Sequence, residues 1–128
     1  MNSMISSYRE LLIWQKGIEL VREVYLLTDS FPKSELYGLT NQMRRAAISI
    51  PSNIAEGFTR GHSRQHHQDF IHFLRMAFAS GAELETQLII AKELKFGLPR
   101  KYEKVDSLLN ETMKMLNKFI ASLVLKSR

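Results

Sequence analysis

Basic side chains in the middle of the chain form the pattern best suited to chemistry with anions. Between Glu35 and Asp69 the only acidic residue is Glu56, while arginine and histidine are frequent. The arginines, whose planar guanidinium groups suit phosphate oxygens, are Arg44, Arg45, Arg60 and Arg64. They are candidate contacts to RNA or DNA, although a net charge of +5 permits such binding without requiring it. Apart from Phe58, aromatic residues are not interleaved with them, so base stacking is not indicated.

The histidines of the same stretch have a spacing that could hold a metal ion. His62 and His66 are four residues apart, and His67 and Asp69 follow them. They stand at a helix start within a basic run, which raises the free-energy cost of binding a cation. A solvated helix entrance is therefore the favoured interpretation, and we expect neither a metal nor another cofactor.

Catalytic motifs have no support in this sequence. Di-iron bundles need Glu-x-x-His on each of two helices, whereas the nearest pattern, Asp69-Phe-Ile-His72, occurs once. The segment from Gly57 to Gly61 is not followed by the Lys-Ser/Thr of a phosphate-binding loop, and no Gly-x-Ser-x-Gly turn is present. Cysteine is absent, which excludes disulfides and thiolate chemistry. The sequence predicts a protein that is not an enzyme and has no evident small-molecule substrate.

Four helices are predicted to position the basic residues. Apolar residues recur at spacings of three and four, and breaks fall at Phe31-Pro32 and at Phe96-Gly97-Leu98-Pro99. The predicted helices cover residues 8–29, 34–60, 63–95 and 99–125. Gly97 is expected to cap the third helix and Pro99 to start the fourth. We predict one domain, residues 1–128, with an all-α, antiparallel up-and-down four-helix bundle fold.

The second helix carries an unusual polar stripe beside its apolar line. We call it the polar seam, and its members are Gln42, Ser49, Ser52, Asn53 and Glu56. A solvated helix face usually carries long charged residues that form helices well, whereas Ser and Asn form helices poorly. Their short side chains therefore favour a face that packs against another helix or subunit. The small residues from Ala79 to Ala82 in the third helix are a candidate partner.

Pro51 interrupts the same helix, because it lacks a backbone donor and its ring presses on the carbonyl of Ala47. The apolar line from Met43 to Ile54 continues in phase across it, which favours one kinked helix. The alternative is a helix that ends at Ser49 and a new helix that starts at Pro51.

The first helix has two neighbouring apolar lines, more than one bundle core needs. One line is Leu11, Trp14, Ile18, Val21 and Tyr25; the other is Ile13, Leu20, Val24 and Leu27. The simpler interpretation is a well-buried helix, and the alternative is that part of this face meets another subunit.

No apolar run approaches the length of a membrane span. The apolar segment from Leu11 to Trp14 is also too short for a signal-peptide core. We therefore expect a cytoplasmic protein with no membrane partner.

Several motifs of the chain resemble those of one known family. They are Trp14, Phe31-Pro32, Glu35-Leu-Tyr-Gly-Leu39, Ser49-Ile-Pro-Ser-Asn-Ile-Ala-Glu-Gly57 and Ala82-Glu-Leu-Glu-Thr-Gln-Leu88. From about residue 8 to residue 125 the chain resembles the four helix bundle family of 23S rRNA-intervening sequence proteins. That family is related to the accessory proteins of diversity-generating retroelements, which are basic pentamers that work with nucleic acid. The resemblance implies a five-fold ring without an established biochemical activity, and by analogy it suggests binding to RNA or DNA.

Two functions compete on this evidence from the residues. The first is a non-enzymatic homo-oligomer, a pentamer by resemblance, that binds RNA or DNA through its arginines. The alternative is a protein–protein adaptor without nucleic-acid binding, in which the polar seam or the first helix recognises a partner chain.

Overall fold

The computed structural model describes residues 5–62 and 67–127. Its four long helices are α1 (Leu12–Thr28), α2 (Asn41–Gly61), α3 (His67–Glu93) and α4 (Tyr102–Lys126). Short 3-10 turns, Tyr8–Glu10 and Pro99–Lys101, occupy the first residues predicted for the first and fourth helices. The described ranges contain no strand, so the all-α prediction is confirmed. The predicted start of the third helix at residue 63 lies outside the described residues.

Side-chain contacts show that each helix runs antiparallel to its neighbours. The pairs are Gly17–Pro51 and Thr28–Arg44 for α1 and α2, Ser49–Ser80 and Gly57–Phe73 for α2 and α3, Gly81–Met113 and Lys92–Asp106 for α3 and α4, and Lys16–Glu111 and Glu23–Lys104 for α4 and α1. For each two neighbouring helices, residues towards the end of one helix contact residues towards the start of the other, which is the pattern of antiparallel packing. The fold is therefore the predicted up-and-down four-helix bundle.

The two apolar lines of α1 have different environments. Its buried line is Ile13, Leu20, Val24 and Leu27, which pack in the core. On the other line Trp14 and Val21 are half-buried, and Ile18 and Tyr25 are each 39% exposed. The apolar face of α1 thus extends beyond the core and reaches the surface beside α2.

The second helix continues through Pro51, so the alternative of a new helix starting there is wrong. Pro51 is buried, and a Cβ atom at Gly17 would lie 3.2 Å from the Cβ of Pro51. Gly17 therefore leaves room for the proline ring. The backbone departs from helical geometry earlier than expected, at Gly38 (φ −114°, ψ −116°) in the π-helical segment Leu36–Thr40.

The predicted cap of the third helix is wrong. The helix ends at Glu93, and the left-handed position that follows it is occupied by Lys95, with φ 60°. The N–H of Phe96 donates to the carbonyl of Ala91 at 3.0 Å and closes this end of the helix. Gly97 also has a positive φ of 77°, but it lies two residues further on.

Two helical glycines mark close approaches of different kinds. A Cβ atom at Gly57 would lie 2.7 Å from the Cβ of Phe73, an atom fixed to the α3 backbone. At Gly81 a Cβ atom would instead meet the thioether of Met113, the end of a flexible side chain of α4. The α2–α3 contact is therefore the one that tolerates no added atom.

We expect Gly57→Ala to lower the free energy of unfolding by about 1–2 kcal/mol, because overpacking outweighs the gain in helix propensity. Gly81→Ala is the matched control and should leave stability unchanged or raise it by up to about 1 kcal/mol, since Met113 can rotate away. Urea unfolding followed by circular dichroism measures both. Equal destabilisation by the two substitutions would contradict the assignment.

Tyr102 gives the bundle a pH-dependent contribution to stability. Its ring is only 6% exposed, and its hydroxyl donates to the carbonyl of Phe96 at 2.7 Å. Burial, followed by the nearby charge of Asp106, raises the pKa of Tyr102 from 10.0 to about 12. The folded protein therefore keeps a proton that the unfolded chain loses above pH 10.

We predict that this contribution to stability falls as the pH rises from about 10 to about 12. Comparison of the chain with its Tyr102→Phe variant by urea unfolding at pH 9 and pH 11 isolates the effect. The variant should lose less stability between the two pH values. If the difference in stability between the two proteins were the same at pH 9 and pH 11, Tyr102 would not be the source of the pH dependence.

Candidate nucleic-acid interface

The predicted arginines do not form one cluster. Arg44 and Arg45 lie near the start of α2, and Arg60 lies in its last turn, about 23 Å further along the axis. Arg64 lies outside the described residues. Two separate basic positions on α2 therefore replace the single patch that the sequence suggested.

Arg44 binds α1. Its Nε donates to Oγ1 of Thr28 at 2.9 Å, and Nη2 lies 3.2 Å from the carboxylate of Asp29. The guanidinium group also covers the ring of Tyr25, 4.4 Å from its centroid. With these contacts made, little of the group remains for a phosphate, and we assign Arg44 to the packing of α1 on α2.

Arg45 and Arg60 point to solvent. Arg45 is exposed on the outer side of α2. The Arg60 side chain is 60% exposed, although Nη2 forms an ion pair of 2.8 Å with Glu56. Its guanidinium group lies 5.3 Å from the centroid of Phe73, which holds it against the start of α3. An ion pair this exposed is weak, so a phosphate can compete with Glu56 for Arg60.

The polar seam is divided between an internal contact and the surface. Ser49 and Ser80 share a hydrogen bond of 2.7 Å across α2 and α3, and Nδ2 of Asn53 donates to Oγ of Ser49 at 2.9 Å. The other members are exposed: Gln42, Ser52 and Glu56. Ser80 is thus the partner suggested by the small-residue run, whereas the role of the exposed members in a subunit contact stays a prediction.

Cationic and imidazole groups from three helices meet where α2 ends and α3 begins. We call this group the cationic end, and it consists of His62, His67 and Lys126. Arg60 is close to it along α2, but its guanidinium group lies over Phe73 instead. Nδ1 of His62 donates to the carbonyl of Phe58 at 2.8 Å, and the two rings stack with centroids 4.3 Å apart. The carbonyl partner fixes the proton on Nδ1 and leaves Nε2 of His62 directed away from the helix.

Aromatic rings lie directly beneath the cationic end. Phe70 stands edge-on to Phe58, at 5.9 Å, and to Phe119, at 5.5 Å. The expectation against base stacking considered only residues close along the chain, whereas Phe119 comes from α4 and Phe70 from α3. Phe70 stands three residues after His67 and could have been connected with the site from the sequence, whereas Phe119 could not, because only the antiparallel fold brings α4 to this end.

The structure bears on two of the expectations, those about a metal ion and about a membrane. Within 5–62 and 67–127, no three His, Asp or Glu side chains stand close enough together to hold a metal ion. His66, one of the four candidate ligands, lies outside those ranges. Among the same residues, no helix has the length and hydropathy needed to cross a membrane.

The fold and this site define the class of the protein as an up-and-down four-helix bundle with a cationic end. The family model for 23S rRNA-intervening sequence proteins matches residues 9–118, and the chain belongs to that family. This match confirms the family membership that the motifs indicated.

A solved structure gives the same fold. It is a protein with unknown function from the S23 ribosomal protein family of Bacteroides thetaiotaomicron, with a TM-score of 0.71 and 23% sequence identity. The match covers 85% of this chain and 98% of that chain, and at this identity it supports the fold alone. No curated protein matches the sequence. Neither the family nor the solved structure is described by an enzymatic activity.

We expect Arg44→Ala to lower the free energy of unfolding by about 1–3 kcal/mol, because it leaves the hydroxyl of Thr28 without its donor and uncovers Tyr25. Arg45→Ala removes the same charge from an exposed position and should change stability by no more than about 0.5 kcal/mol. Urea unfolding of both variants measures the difference. If the two substitutions changed the free energy of unfolding equally, Arg44 would not contribute to the packing of α1 on α2.

Proposed function

We propose that this chain is a non-enzymatic homo-oligomer, a pentamer, that binds RNA or DNA through Arg45, Arg60, Arg64 and the cationic end. The observation that carries the proposal is the convergence of basic groups from α2, α3 and α4 at one end of the bundle. The family's name, which refers to an intervening sequence of ribosomal RNA, agrees with a nucleic-acid partner.

The electrostatic argument concerns both the chain and its assembly. A net charge of +5 on each copy is multiplied in a ring, and a positive ring attracts polyanions at low salt. Arg45 and Arg60 lie about 23 Å apart on α2, so a flexible single strand could contact both. Phosphate contacts of this kind favour binding without strong sequence preference.

The apolar surface between α1 and α2 supports self-association. Ile18 and Tyr25 of α1 are exposed, and Ile48 on the neighbouring outer side of α2 is 41% exposed. The contacts Gly17–Pro51 and Tyr25–Arg44 place this part of α1 beside this part of α2, from which we infer that the three side chains form one strip. A second copy that covers this strip would bury apolar area that a monomer leaves in water.

The experiment is light scattering behind size exclusion, with and without single-stranded RNA, together with affinity measurements across a salt series. We expect a ring of about five protomers that is stable to salt and shifts with RNA only at low salt. The Arg60→Ala/Arg64→Ala variant should reduce the slope of log affinity against log salt by about 1.4, roughly 0.7 for each lost phosphate contact.

The matched control is Lys33→Ala/Arg100→Ala, which removes the same charge from exposed positions outside both the cationic end and the apolar strip. It should leave the salt slope unchanged. A ring that ignores RNA at every salt concentration would contradict nucleic-acid binding and favour the protein adaptor. A monomer would contradict the self-association.

A further inference from the structure

A broad cup of about 540 Å³ opens at the cationic end. Its floor is made of Leu11, Phe58, Phe70 and Leu123, and each of these side chains is no more than 8% exposed. Because the floor belongs to the core, a ligand cannot sink between the helices. The cup therefore fits a flat group that lies on the floor and fits a long flexible chain poorly.

The rim of the cup has the opposite chemistry. His62, His67 and Lys126 stand around it, and none of its described lining residues is acidic. Among the lining side chains an anionic group would meet only neutral or positive ones, while the carboxylate of Glu10 accepts from the N–H of Ser6, a lining residue, at 3.0 Å. A ligand suited to both parts has a planar ring for the floor and an anion for the rim.

We propose that this cup binds a single nucleotide, with the base on the face of the His62 ring that does not stack on Phe58 and with its edge against the apolar floor, and with the phosphate between His67 and Lys126. The proposal rests on the nucleic-acid binding proposed above and deepens it, since it assigns a pocket to one unpaired nucleotide of a bound strand. Stacking against an aromatic ring tolerates any base, so the cup selects single strands without selecting a sequence.

His62 is suited to this role because its orientation is already fixed. Its ring stacks on Phe58 with an interplanar angle of 9°, and its Nδ1 is bound to the carbonyl of the same residue. A base that stacks there meets a preformed platform and immobilises no additional side chain. Lys126, in the last turn of α4, contributes the flexible positive charge.

The test is equilibrium dialysis with radiolabelled adenosine monophosphate. We expect saturable binding that His62→Ala and Lys126→Ala each weaken at least fivefold. His62→Phe keeps a ring without a ring nitrogen and should weaken binding less than His62→Ala does. Lys114→Ala, an exposed position on the same helix outside the cup, is the matched control and should have no effect.

Two competitors identify which part of the nucleotide is recognised. Inorganic phosphate should displace adenosine monophosphate only at concentrations at least tenfold higher than unlabelled nucleotide requires, and decanoate should compete no better than phosphate. Equal competition by phosphate would overturn the role of the base, and stronger competition by decanoate would show an acyl site instead. Binding that the His62 and Lys126 substitutions leave unchanged would also overturn the proposal.

Measurements of RNA affinity with the same variants separate this inference from the proposed function. RNA binding that depends on Arg60 and Arg64, without saturable binding of adenosine monophosphate, would overturn the cup alone. If RNA does not bind, the proposed function fails, and saturable nucleotide binding in that case would assign the cup to a free nucleotide and overturn its role on a strand.

Discussion

The close packing of α2 between α1 and α3 is the constraint on which the rest of the structure depends. On one side Gly57 lets the backbone of α2 approach Phe73, and on the other side Gly17 makes room for the ring of Pro51. Each contact places a residue without a side chain opposite a bulky one, so that the register of three helices is set by shape. The hydrogen bond between Ser49 and Ser80 then fits this register without determining it.

The fold could be predicted from the sequence because its signals are local and repeated. In α4, residues spaced three and four apart from Tyr102 to Leu123 are mostly buried, and in α1 so is the line from Ile13 to Leu27, as apolar spacing predicts. The errors occurred where a single residue departs from the common pattern. Lys95 takes a left-handed conformation that glycine adopts more easily, and the hydrogen bonds at the end of α3 hold it there.

The candidate site was less predictable because its parts come from distant positions. The sequence pointed to arginines and histidines close together along the chain, and of these His62 and His67 do line the cup. Phe119, Leu123 and Lys126 were missed, since α4 contributes them and no motif links that helix to the end of α2. At a bundle end all four helices can supply side chains to one site, whereas a groove along the side has only two helices to draw on.

Burial, which composition does not reveal, separates the roles of arginines that look equivalent in the sequence. Arg44 and Arg60 both lie on α2, both face an aromatic ring and both have a carboxylate partner. The Arg44 side chain is only 19% exposed and also donates to Thr28, so its charge is used within the fold. Arg60 lacks such a buried acceptor among the described residues. A polyanion can therefore replace its weak contact with Glu56 and leave the packing of the helices unchanged.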